Sequence, residues 1–210
     1  MGYPGVSANI LDGNLQREIT VLDGVPALIC TAKTVGLIGV VKQVYGVSDA
    51  ISKGFTLAAE PFAHGLISAH YTELGGSQLL YVLGTAETET MQDVLDSTSD
   101  DFVKKVMRES KGAVNLFAIA RDPGVGYSAG AAFLDADVAL SVTASKTLGQ
   151  GLQAANTPVR FFIEGRVANK DMANSYSPNT ATNPYASVVL GGLSANGSAA
   201  VTVALARAVK

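Results

Sequence analysis

The chain has 210 residues, of which 48% are hydrophobic and only 16% are charged, and its formal net charge is −3. That length suffices for one large core or two small ones, and the scattered lysines and arginines argue against a nucleic-acid-binding protein. The apolar runs fall far short of the roughly 18 residues that span a bilayer, and the start of the chain lacks the basic and apolar regions of a signal peptide. We therefore expect a protein that is made in the cytoplasm and does not insert into a membrane.

The first 16 residues predict an extended arm and not a part of the core. Glycines, a proline and polar residues separate the apolar ones, and Ile10 and Leu11 are the only large aliphatic pair. Such a segment buries too little apolar surface to offset the entropy lost on ordering. The predicted organisation is therefore an arm, residues 1–16, followed by one core domain, residues 17–210.

Three strands and a short helix are predicted at the start of the core domain. Arg17–Leu22 and Val25–Ala32 flank Asp23-Gly24, a dipeptide typical of tight hairpin turns. Thr34–Val41 follows as the third strand. Ser48–Lys53 then predicts a helical turn with its first residue as the cap.

A longer helix and a buried strand are predicted next. Pro61–Tyr71 repeats apolar residues at helical spacing, and its proline suits a first helical turn. Gly75 and Gly76 supply the positive φ that a helix C-terminus favours. Leu79–Leu83 is an uninterrupted apolar run, which is typical of a strand covered on both faces.

The rest of the chain alternates between helices and strands. Six acidic residues in Thr85–Asp101 precede lysines and arginines that extend to Lys111, a distribution that complements the dipole of a helix and requires no ligand. The later predicted elements are a strand at Ala113–Ala120, a helix across Leu134–Leu152, a strand at Pro158–Ile163, an exposed loop at 168–184, a strand at Tyr185–Leu190 and an alanine-rich helix at Ser198–Val209. Because no glycine or turn ends that helix before Lys210, we expect a fragment of a longer polypeptide. The alternation predicts an α/β fold, a layered sheet flanked by helices.

One glycine pattern has the form of a dinucleotide-binding fingerprint. Gly124–Ala129 reads G-x-G-x-x-A between a predicted strand and a predicted helix. Its context differs from the fingerprint because Asp122-Pro123 separates it from its strand, and no acidic residue closes a strand about 20 positions later. A flexible connection is the preferred interpretation.

The other polar residues predict no catalytic, cofactor or metal site. His64 and His70 are the only histidines, and their spacing of six places them on different faces of a helix, so each is interpreted as a partly exposed packing residue. Asp100-Asp101 and Asp135/Asp137 lie at predicted helix starts, where carboxylates cap backbone amides. Cys30 is the only cysteine, which excludes a disulfide framework and predicts a small buried side chain.

Four short motifs follow one another along the chain in a characteristic order. They are Pro4-Gly5-Val6, Gly36–Val40 in a strand of small apolar residues, Gly75-Gly76 before Leu80-Tyr81-Val82, and Ala186–Gly191 before an alanine-rich helix. In this order the chain resembles the N-terminal and core part of contractile phage tail sheath proteins, including sheath-like proteins of bacterial phage-derived gene clusters. It departs from them at Ser7-Ala8-Asn9, where members often carry acidic residues, and no stretch of it matches the family's C-terminal domain.

The resemblance implies a structural subunit and not an enzyme, with no cofactor. Such a subunit polymerises with itself as a helical or ring homo-oligomer around an inner tail tube protein, joins a baseplate, and contracts to drive the tube through an envelope. The particle, a virion tail or a phage-tail-like particle, is assembled in the bacterial cytoplasm. Assembly through strand donation is expected from the arm residues Tyr3, Pro4, Gly5, Val6, Ile10 and Leu11, and the family motif in the core comprises Gly75, Gly76, Tyr81 and Val82.

Two other interpretations remain open from the residues alone. The chain could be a Rossmann-like nucleotide-binding enzyme that uses Gly124–Ala129, or a small ligand-binding α/β domain. The particle size of the purified protein separates the sheath interpretation from both, and nucleotide titration tests the first of them.

Overall fold

The computed structural model describes residues 24–122, 134–165, 182–190 and 199–209. The predicted arm, the strand at Arg17–Leu22, the glycine pattern at Gly124–Ala129 and most of the 168–184 loop lie outside these ranges. The described strands are β1 (Val25–Thr31), β2 (Val41–Val44), β3 (Leu80–Thr85), β4 (Val114–Ala120), β5 (Arg160–Gly165) and β6 (Ala186–Leu190). The described helices are α1 (Val47–Ser52), α2 (Pro61–Leu74), α3 (Met91–Val94), α4 (Val103–Glu109), α5 (Ala136–Ala154) and α6 (Ala199–Ala208).

All six strands form one mixed sheet in the order β2-β3-β1-β4-β5-β6. The pairs from β3 to β6 are parallel, and β2 pairs with β3 in the antiparallel direction. The predicted α/β fold is therefore confirmed, and the strands predicted near Leu79–Leu83, Ala113–Ala120, Pro158–Ile163 and Tyr185–Leu190 belong to the same sheet. Strand β1 lies between β3 and β4, so the chain reverses its direction of winding at β1.

Helices cover both faces of the sheet, because the central strands are apolar on both sides. In β1, Ala27 and Ile29 face a core cluster that includes residues of α3, α4 and α5. Leu28 and Cys30 face the opposite cluster, to which α1, α2 and α6 contribute. The central strands β1 and β3 are thus buried between two helical layers, which explains why they read as continuous apolar runs. The predicted burial of Cys30 is confirmed, since its side chain is fully buried.

The strand predicted at Thr34–Val41 is wrong. The chain instead turns there, touches β3 through one bridge between Ile38 and Gly84, and becomes a strand only at β2. The turn requires the left-handed φ of 71° at Gly39, whose amide donates to the Gly84 carbonyl at 2.8 Å. It also requires Gly84 itself, because a Cβ there would lie 2.7 Å from the Leu37 carbonyl oxygen. Small apolar residues therefore serve close backbone approach here and not strand formation.

Helix ends partly follow the predictions. Gly75, with φ 75°, ends α2 in the left-handed conformation, whereas Gly76 does not have a positive φ. Helix α1 has Gly46 as its N-cap and no side-chain cap, so the cap predicted at Ser48 is wrong. The Asp49 carboxylate accepts the Tyr45 amide at 2.9 Å instead, and this bond steadies the entry to the helix.

The acidic stretch Thr85–Asp101 does not lead into one continuous helix: it contains the short helix α3 and ends just before α4. Thr90 and Asp93 form a capping box at the start of α3. Asp100 pairs with Lys104 at 3.3 Å across the start of α4, and Gly112, with φ 77°, follows that helix. The capping role predicted for Asp135 is confirmed at the start of α5, where its carboxylate accepts the Asp137 amide.

Candidate functional site

The structure buries two residues of the predicted family motif, Tyr81 and Val82, and leaves the other two, Gly75 and Gly76, exposed. Tyr81 and Val82 are neighbours in β3 and face opposite helical layers, with 6% and 0% of their surfaces exposed. Gly75 and Gly76 lie at the end of α2. These four residues shape the fold, and the six arm residues predicted to make assembly contacts fall outside the described ranges.

The sheet has a topological switch point between β1 and β4, the place where open α/β sheets commonly bind ligands. At the carboxyl ends of these strands, Asp122 donates its amide to the Thr31 hydroxyl at 3.0 Å. Arg121 donates its amide to the Glu164 carboxylate at 2.9 Å, and its guanidinium lies 3.4 Å from the Asp137 carboxylate. Polar side chains therefore converge at the carboxyl ends of these strands, and they form hydrogen bonds and an ion pair with one another and with the backbone.

Two buried carboxylates near the carboxyl ends of the strands accept hydrogen bonds from backbone amides of neighbouring segments. Glu60, 1% exposed, accepts the Lys33 amide at 2.9 Å and the Thr34 amide at 2.6 Å, which ties the turn after β1 to the start of α2. Asp137 accepts the Met91 and Gln92 amides at 2.7 and 3.1 Å and so caps α3 from the side of α5. Both carboxylates satisfy amides that have no partner within their own elements, a structural role.

Burial raises the pKa of the Asp137 carboxyl above its ordinary value. The Met91 and Gln92 amides and the nearby Arg121 charge act in the opposite direction, and the negative charge of Asp135 adds to the rise. Burial is the largest of these effects, so the ionised form is less favourable in the folded protein than in the unfolded chain. The sequence correctly predicted that Asp137 lies at the start of a helix, but it did not predict that this carboxylate caps a different helix, α3.

Replacing Glu60 with glutamine is expected to destabilise the fold by about 1–3 kcal/mol. Glutamine places a side-chain N–H group opposite the main-chain N–H groups of Lys33 and Thr34, and it removes the negative charge that strengthens these buried hydrogen bonds. Thermal or urea unfolding measures the loss. Glu87→Gln is the matched control, since Glu87 is a 40% exposed carboxylate paired with Lys33 at 3.5 Å, where a change within about 0.5 kcal/mol is expected. Equal stability of Glu60→Gln and the parent would contradict the role assigned to this carboxylate.

The two histidines differ in their surroundings. His64 is half-buried, as predicted, and its Nδ1 lies 3.5 Å from the Ser68 hydroxyl. His70 is fully buried, so its interpretation as a partly exposed residue is wrong. The reason is α6, which packs against α2 and covers His70. Within the described ranges, no group of three or more His, Cys, Asp or Glu residues is placed to hold a metal ion.

The two edges of the sheet are candidate assembly surfaces. The outer strand β2 is short, and the Lys53 ammonium donates to the Gln43 carbonyl on it. The outer strand β6 exposes Ser187 and Leu190, the latter by 56%. A charged side chain at a strand edge hinders pairing with another chain, whereas an apolar edge favours it. Strand β6 is therefore the better candidate for accepting a further strand.

No helix among the described residues has the length and apolar composition to cross a membrane.

Comparison with known proteins gives a structural likeness but no match in sequence. No protein-family model matches the chain, and no curated protein matches it. Among solved structures, the chain is similar to the helical sheath of the anti-feeding prophage (AFP) in its contracted state, determined by cryo-EM, with a TM-score of 0.40 and 15% sequence identity. The alignment covers 80% of this chain and 39% of the AFP sheath chain, so this chain spans less than half the length of the chain it matches.

Proposed function

We propose that the chain is a structural subunit of a contractile tail sheath. It polymerises with copies of itself around an inner tail tube protein, joins a baseplate, and contracts to drive the tube through an envelope. The particle is a virion tail or a phage-tail-like particle assembled in the bacterial cytoplasm. Residues 1–16 form the arm that connects subunits, and residues 17–210 form the core domain.

The observation that carries this proposal is the sheet edge at β6. Main-chain groups on the outer side of β6 have no strand partner in the described part of the chain, and Leu190 adds an apolar side chain to that edge. An extended segment with too few apolar residues to order itself gains its hydrogen bonds by pairing with such an edge. The arm predicted from residues 1–16 has that composition, and the four sequence motifs resemble those of sheath proteins.

The polar groups near the switch point support a structural role as well. Glu60 and Asp137, the carboxylates that would serve as acids or bases there, accept backbone amides and hold loops and helix ends in place. A general base must reach the proton that it abstracts with a free lone pair. Amide-bound carboxylates suit a rigid scaffold better than a reactive centre.

Deleting residues Gly2–Asn14 is expected to leave the melting temperature of the monomer nearly unchanged and to abolish assembly. The arm contributes little buried surface within one subunit but supplies the connection between subunits. Sedimentation and negative-stain microscopy measure assembly, and thermal unfolding measures stability.

On the accepting strand β6, Leu190→Lys is expected to weaken assembly at unchanged stability.

Leu140→Lys is the matched control for the edge variant. Leu140 is 51% exposed, close to the value for Leu190, but it lies on α5 and not on a strand edge. It is expected to assemble like the parent. A deletion variant that forms normal particles, or equal loss of assembly in both lysine variants, would show that strand donation to β6 is not how subunits connect.

A further inference from the structure

Helices α2 and α6 pack against each other on one face of the sheet, with a histidine enclosed between them. His70 of α2 has 0% of its surface exposed. Its Nδ1 lies 3.4 Å from the Thr202 carbonyl oxygen of α6, a long hydrogen bond. Because a carbonyl oxygen only accepts, Nδ1 carries the proton. The other ring nitrogen, Nε2, is buried and has no hydrogen-bond partner among the described residues.

Within the described part of the chain, no neighbouring charge acts on His70 to balance an imidazolium. The described ionisable groups on this helical layer and on the strand faces beneath it are Glu60, His64, Tyr71 and Glu73 at α2, Asp49 and Lys53 at α1, Arg207 on α6, Cys30 on β1, Lys42 on β2, and Arg160 and Glu164 on β5. Glu73 already pairs with Arg207 at 3.0 Å, at the solvent side of the two helices. The pKa of His70 is lowered by burial, and the Thr202 carbonyl opposes this only in part.

A proton on Nε2 would therefore enter a buried site in which no described group accepts a hydrogen bond from it. An imidazolium needs an acceptor for each of its two N–H groups, and here one group would have a long bond and the other none. An unpaired buried cation is so unfavourable that His70 either stays neutral or gains its proton only when the structure opens around it. The element best able to move is α6, since side-chain packing, and not a strand ladder, joins it to the sheet.

We propose that the α2–α6 contact is an acid-sensitive latch, in which protonation of His70 releases α6 from the rest of the domain. Release brings the imidazole into water and uncovers the apolar side chains of α6 that pack on the sheet, including Val201 and Leu205. The sheet itself stays intact because its ladders do not involve α6. This inference does not depend on the proposed sheath function.

The sign of the pH effect follows from the state that binds the proton. In the released form, His70 has the ordinary histidine pKa of about 6.5. In the closed form, burial lowers the pKa of His70, so the closed form binds the proton less well. The latch is therefore fully stable above about pH 6.5 and weakens as the pH falls below that value. At pH 5, proton binding by the released form multiplies the opening constant by up to about 30-fold.

Hydrogen exchange of the whole chain at pH 7.5 and pH 5.0 tests the latch. Protection factors, which correct for the intrinsic exchange rate, are expected to fall by up to about 30-fold in α6. They are expected to be lower in α6 than in β1 and β3 at both pH values, because α6 exchanges by its own release whereas the central strands exchange only when the whole domain unfolds. In His70→Gln, which keeps a donor for Thr202 but does not titrate, the fall is expected to disappear. In His64→Gln, the matched control on the same helix, it is expected to persist.

Three results would overturn the proposal. The first is an equal protection factor in α6 and in the central strands at pH 5.0, which indicates that α6 opens only when the whole domain unfolds. The second is an unchanged fall in His70→Gln. The third needs no variant and so holds even if His70→Gln does not fold: it is a nuclear magnetic resonance titration of the parent protein in which His70 takes up its proton at or above the ordinary histidine pKa of about 6.5.

Discussion

Replacing Tyr81 with aspartate is expected to unfold the domain. Tyr81 is 6% exposed in β3, a strand whose six residues are all buried between helical layers. A carboxylate there loses its hydration without gaining a partner, and the aromatic ring's packing is lost as well. The combined cost is several kcal/mol, comparable to the roughly 5–15 kcal/mol that stabilise a whole domain. Circular dichroism and thermal unfolding measure the effect.

Tyr81→Phe is the control for this substitution. The only hydrogen bond of the hydroxyl within the described residues is a weak one with the Gln43 side chain at 3.5 Å, so its removal is expected to cost less than about 1 kcal/mol. The comparison separates the burial of a charge from the loss of the hydroxyl. Cooperative melting of Tyr81→Asp at the parent temperature would show that β3 is not buried as described.

Two glycines in α5 are expected to respond to alanine with opposite signs. A Cβ on Gly149 would lie 2.4 Å from Cγ and 2.7 Å from Cβ of Tyr185. These atoms form the base of that side chain, and the Tyr185 carbonyl accepts the Phe161 amide at 2.8 Å, so Tyr185 cannot move without disturbing the start of β6. Gly149→Ala is therefore expected to cost about 1–3 kcal/mol. Thermal unfolding should show a melting temperature lower by several degrees.

Gly151→Ala, two residues further along the same helix, is the matched comparison. No atom of the described residues lies within 4 Å of a Cβ built at Gly151. Alanine there removes backbone freedom from the unfolded chain and is expected to stabilise the protein by about 0.5–1 kcal/mol. If both variants changed stability in the same direction, the close packing of α5 against the residue before β6 would be wrong.

Local pattern was enough to predict the class of fold. The continuous apolar runs around Tyr81 and Phe117 predict doubly covered strands, because a strand buried on both faces shows no alternation. Apolar residues at helical spacing from Leu134 to Leu152 predict the helix that the structure shows as α5. Gly75 and Gly112 mark the ends of helices because glycine adopts positive φ without strain. Each of these signals depends on residues close together in the chain.

The tertiary structure alone decided which segments meet. No local pattern shows that β1 lies between β3 and β4, that Glu60 holds the turn at Lys33, or that Asp137 caps a helix 45 residues before it, because pairing at long range depends on how whole elements dock. The strand predicted at Thr34–Val41 failed for this reason, since its small residues serve the approach of one backbone to Gly84. His70 was placed on the correct helix from its spacing, but its enclosure depends on α6, which is contributed by a segment 132 residues later in the chain. Burial is a property of the neighbours that a side chain acquires on folding, and the sequence around a residue does not contain them.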